Sequence, residues 1–119
     1  MTDNARRTGA AVEATYQFLL WLVPTVEKFP RSQKFVLGDR IESTAISVLE
    51  GLVDATYTKA RGRALAEVNI ALERLRFLVR LAFDLKHLDP RRYEFAARGI
   101  DEIGGYVGAW IKTDRAAQG

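Results

Sequence analysis

The side chains with chemistry to offer in this sequence are its 18 lysines and arginines, because no acid–base or metal-binding set accompanies them. The single histidine, His87, falls near the expected C-terminus of a helix, between Lys86 and Leu88. An imidazole placed there complements the negative end of the helix dipole. A di-iron bundle would need Glu-x-x-His pairs projecting inward. The sequence has none, and Glu73 and Asp84 fall on the polar side of their helix. There is no cysteine and hence no thiolate metal site or disulfide framework. Gly99, Gly104, Gly105 and Gly108 lie within an apolar helical pattern, so no glycine-rich phosphate loop exists. These residues predict a protein that is not an enzyme and carries no metal or cofactor.

Arginine is the residue of choice for bidentate contact with phosphate. Arg31, Lys34 and Arg40 surround one chain corner, and Arg74, Arg76 and Arg80 follow one another along a single helix. Arg91 and Arg92 stand beside a second turn, with Lys86 just before it. Two readings are open for these cations. They form an ordinary solvated surface laced with i,i+4 ion pairs. Or they contact a nucleic-acid backbone, in a salt-dependent and largely sequence-independent manner. The formal charge of +3, from 18 basic and 15 acidic residues, permits the second without demanding it.

The elements that must position these groups are helical. In Phe29-Pro30-Arg31-Ser32, Pro30 pushes Phe29 out of the helical region and stops a first helix of about residues 10–28. Pro24 removes a ladder bond inside that helix and should kink it. Ser32 is a candidate cap for a second helix of about 33–58, whose seam is Ile41, Ala45, Val48, Leu52 and Ala55. A third, about 63–87, carries Leu65, Val68, Leu72, Leu75, Val79 and Ala82, with a second seam of Leu78, Leu81, Leu85 and Leu88. Asp89-Pro90 caps a fourth, with a stripe of Tyr93, Ala96, Ile100, Ile103, Val107 and Trp110. Its glycines point to close approach by another helix.

No strand pattern or repeat appears, and short connections imply an all-α, antiparallel up-down-up-down four-helix bundle. It forms one domain at 10–113, with mobile tails expected at 1–9 and 114–119. In such a bundle the first and third connections share an end, gathering Lys28, Arg31 and Lys34 with Lys86, Arg91 and Arg92, diluted by Glu27, Asp89 and Glu94. No run reaches the roughly 20 apolar residues that span a bilayer and no secretory leader is evident, which favours a cytoplasmic protein without a membrane partner. Aromatic residues such as Phe77, Phe83 and Phe95 flank the seams. They either widen the core or mark a subunit interface.

The stretches Tyr16-Gln17-Phe18-Leu19-Leu20-Trp21-Leu22-Val23-Pro24, Val26-Glu27-Lys28-Phe29-Pro30-Arg31-Ser32 and Phe35-Val36-Leu37-Gly38-Asp39-Arg40-Ile41 resemble the accessory variability determinant family of diversity-generating retroelements. The likeness continues through Leu72-Glu73-Arg74-Leu75-Arg76-Phe77-Leu78-Val79-Arg80-Leu81-Ala82 and Asp101-Glu102-Ile103-Gly104. The Glu-Lys-Phe-Pro corner is shared with the four-helix proteins encoded by intervening sequences of ribosomal RNA genes. The resemblance implies a homo-oligomer, a pentameric barrel of four-helix bundles, that binds a reverse transcriptase and RNA or DNA. It also implies a binding role for Arg31, Lys34 and Arg40 after the corner and for Arg74, Arg76 and Arg80 on the third helix.

Overall fold

Apolar residues spaced three and four apart must bury one face of a helix, and here they do so almost position by position. A computed structural model describes residues 3–118, and their side chains from Gly9 onward. Over those residues the chain forms four long helices and no strand. Helix α1 is Asp3–Val26 and α3 is Arg61–Asp84, while α4 is Pro90–Gln118. Helix α2, residues 31–57, is composite. A short turn Arg31–Gln33 leads into a π-helical stretch Lys34–Gly38 and then regular α-helix Asp39–Tyr57.

All five predicted seam residues of the second helix and all six of the third are buried. In α4 the stripe from Ala96 to Trp110 is buried, with Tyr93 packed at its edge. In α1, Ala11, Thr15, Phe18, Leu19, Leu22 and Val26 face inward, while Ala14 and Trp21 are only partly covered. Each helix packs against its neighbours in the chain, and α1 also packs against α4, closing a ring around one core. Phe83 stacks on Tyr93 at 4.4 Å, and Trp21 meets Phe95 at 4.6 Å.

Three expectations change. Ser32 does not cap α2; the Pro30 carbonyl accepts the amides of Gln33 and Lys34, each at 2.8 Å. Pro30 is extended, and Phe29 beside it is buried, so the carbonyl is already aimed at the first turn. The second seam of α3 is covered only in part, since Leu88 is buried and Leu78 half-buried while Leu81 and Leu85 face solvent. Among the four glycines of α4, close packing is found at Gly99, where an added Cβ would stand 2.5 Å from the Phe18 ring. Gly104 lies against the Arg76 guanidinium, and Gly105 and Gly108 face open space.

The π-helical stretch places Leu37 and Gly38 in the core and leaves Phe35 and Val36 exposed. A π turn inserts one residue and re-aims its neighbours. Gly38 is needed there, because a Cβ would come within 2.7 Å of Val26. At the α3–α4 turn, Lys86 adopts φ 67, and the amides of Lys86 and His87 return to Phe83 and Ala82. This is a Schellman closure of α3 with lysine where glycine is usual. Residues 3–9 and 114–118, assigned to tails from sequence, are helical, and Asp114 is buried. Residues 1, 2 and 119 of those expected tails lie outside the described residues. Among the described residues no helix is long and apolar enough to cross a membrane.

Candidate phosphate-binding and docking surfaces

The eight cations singled out from sequence separate into those with acidic partners and those without. Arg76 on α3 pairs with Asp101 on α4 and reaches Glu73 at 3.6 Å. Its guanidinium therefore braces two helices. Arg80 makes a loose pair with Asp84 at 3.8 Å, both side chains largely in solvent. A pair of that kind contributes about 0–1 kcal/mol.

The ring contact of Phe29 with His87, 5.6 Å between centroids, joins the α1–α2 corner to the α3–α4 turn. Sequence reasoning placed these two connections at one end, with acids diluting the charge. The acids there have partners of their own. Glu27 holds Lys34 at 2.7 Å, and that ammonium also lies 5.4 Å from the Phe35 ring centroid. Asp89 accepts the Arg92 amide at 2.8 Å as the cap of α4, and it binds the Arg92 guanidinium as well. The backbone amide of Arg92 leads the interactions that hold the Asp89 carboxyl below the usual carboxylate range. Glu94 pairs with Arg98 one turn along α4. Lys28, Arg31, Lys86 and Arg91 are left exposed and, among the described residues, in no ion pair. Arg91 lines a shallow hollow with Trp21 and Phe95. On the α2 side of the corner, burial pushes the Glu42 carboxyl up, Glu27 and Asp39 add to this, and Lys34 opposes it.

Arg40 and Arg74 belong elsewhere. They line a groove of about 850 Å³ between α2 and α3, together with Ile70, Phe77, Leu78 and Leu81. Neither is in an ion pair among the described residues. Ser43 and Thr44 donate to the Arg40 carbonyl and Ser47 to that of Thr44, so these groove hydroxyls are bonded along their own helix. Sequence reasoning missed this groove. The signal available was Ile70, Phe77 and Leu81, apolar residues seven and four apart beside the main seam.

Across the bundle, a second hollow of about 360 Å³ lies between α1 and α4, lined by Glu13, Gln17, Phe95, Gly99, Glu102 and Tyr106. No three His, Asp or Glu side chains among the described residues are grouped to hold a metal ion. The surface thus exposes cations without acidic partners among the described residues at one end, and two partly apolar grooves along its sides.

Residues 10–113 match the family model described as bAvd-like. Comparison with curated proteins found no match.

Proposed function

The chain belongs to the bAvd-like family of accessory variability determinants, and we propose that it serves as a non-enzymatic accessory protein of a diversity-generating retroelement. It binds the reverse transcriptase and RNA or DNA, and it works as a homo-oligomer of antiparallel up-down-up-down bundles, a pentameric barrel by family likeness. The family match over 10–113 carries this reading. The bundle order is supported by contacts that run in opposite directions along neighbouring helices: Phe83 with Tyr93, then Arg76 with Asp101. Trp21 with Phe95, then Phe18 with Gly99, repeat the pattern between α1 and α4.

Phosphates are gathered at the end where Lys28, Arg31, Lys86 and Arg91 have no acidic partner among the described residues. The exposed Phe35 and Val36 of the π-helical stretch offer the polymerase an apolar contact beside them. The test is the affinity for single-stranded RNA and DNA oligonucleotides across a salt series. Affinity falls steeply with salt, and Arg31→Ala/Arg91→Ala weakens it and flattens the log–log slope by about 0.7 per lost contact on a single strand. Affinity equal at low and high salt, or unmoved by the double substitution, removes the phosphate-binding role. A second reading, a structural oligomer without nucleic-acid function, is favoured by one observation: Lys34, Arg76 and Arg92 are bound to Glu27, Asp101 and Asp89. Absence of oligonucleotide binding by a chain that still assembles would select it.

A further inference from the structure

Among the described residues, two faces of the bundle lack an intramolecular partner, and their unpaired charges have opposite signs. Each helix packs mainly on two neighbours, so the α2/α3 groove and the α1/α4 groove lie on opposite sides of the ring. On the first, Ile70 is 53% exposed and Phe77 61%, and the charged groups beside them are Arg40, Arg74 and Glu73, the last paired with Arg76 at 3.6 Å. On the second, Phe95 is 53% exposed and Tyr106 borders the same hollow, and the charges are Glu13 and Glu102. Glu13 accepts a bond from Gln17 at 3.0 Å. Neither glutamate is in an ion pair among the described residues.

Aromatic side chains standing out of a groove, rimmed by charge, have the make-up of a protein interface centre. We propose that a second copy of this chain seats its α1/α4 face in the α2/α3 groove, with Arg40 and Arg74 opposite Glu13 and Glu102. The inference deepens the self-assembly part of the reading above, which names no interface. A symmetric dimer through either groove would bring like charges together, at a cost in specificity and affinity. The head-to-tail contact instead pairs opposite charges. Because its two halves are different surfaces, every copy keeps one of each free until a ring closes. The unpaired arginines of the α2/α3 groove thus bind protein, and those at the corner end bind phosphate.

Charge reversal tests the arrangement, read by native mass spectrometry and sedimentation at micromolar concentration, with circular dichroism to establish that each variant folds. The wild-type chain assembles. Arg40→Glu/Arg74→Glu and Glu13→Arg/Glu102→Arg are each helical and monomeric, and an equimolar mixture of the two associates again, as alternating pairs and open chains, because strict alternation cannot close a five-membered ring. The quadruple variant, with both faces inverted, assembles by itself. Assembly of either double variant at the wild-type level, or failure of both the mixture and the quadruple variant, overturns the interface. If wild type assembles and the reversals change nothing, only this interface is lost and the proposed oligomer stands. A monomeric wild type removes both, while the salt-dependent contribution of Arg31 and Arg91 remains separately measurable.

Discussion

At the scale of single residues, two carboxylates shift in opposite directions and give opposite pH signatures. Folding lowers the Asp89 carboxyl through the amide and guanidinium of Arg92. Its stabilising contribution is therefore complete above the ordinary aspartate range and is lost as pH falls through the depressed folded value. Asparagine caps a helix about as well but carries no charge. Asp89→Asn should lower the urea midpoint at neutral pH, and the difference from wild type should shrink as pH falls below the ordinary aspartate range toward the depressed folded value. Glu42 is raised by burial and by Glu27 and Asp39. Its charge opposes folding above the folded value, and the penalty is gone below the ordinary glutamate range. Glu42→Gln should raise the midpoint at neutral pH and do nothing in acid. A midpoint unchanged by either substitution at neutral pH would contradict these assignments. Lys86 provides a backbone counterpart, since its φ of 67 is a conformation that favours glycine. Lys86→Gly should stabilise the protein by about 1 kcal/mol, measured by the same unfolding curves.

At the scale of helices, spacing predicted which residues face inward, and it did so fully along the main seams of α2 and α3. The seams Ile41 to Ala55 and Leu65 to Ala82 are legible because a three-four repeat has one geometric solution on a helix. Leu81 and Leu85 fit the same rule and are exposed, because periodicity tells that a face is apolar and not what covers it. The partners of the arginines were hidden for a similar reason. Glu73 and Asp84 stand three and four residues from Arg76 and Arg80, within reach of sequence reasoning, but Asp101 comes from another helix. The glycines of α4 show the limit most directly, since one composition signal covers two environments. Gly99→Ala must displace the buried Phe18 ring, and forcing such overpacking costs about 1–3 kcal/mol. Gly105→Ala meets nothing within 4 Å. It should stabilise by up to about 1 kcal/mol through helix propensity. Thermal melts of the two variants should therefore move in opposite directions, and a parallel shift would refute the contacts described at Gly99.

At the scale of the whole molecule, net charge and charge placement make different predictions for nucleic-acid binding. Each Glu→Arg change adds two positive charges, so Glu13→Arg/Glu102→Arg takes the chain from +3 to +7. If affinity followed net charge, this variant would bind an oligonucleotide more tightly than wild type. If the α1/α4 face is instead half of a subunit contact, the same substitutions leave isolated bundles, each with its own four cations at the corner end. A long strand then engages one such end at a time, and the effective-concentration advantage of several linked sites, on the order of 10²–10⁴ in affinity, is lost. The outcome depends on strand length in a way that charge alone does not reproduce. An oligonucleotide short enough to touch one bundle should bind the variant at least as well as wild type, whereas one long enough to reach several should bind it more weakly. Tighter binding at both lengths would mean that the bundles act singly. A loss confined to the longer strand would tie phosphate gathering at Lys28, Arg31, Lys86 and Arg91 to assembly through Arg40 and Arg74.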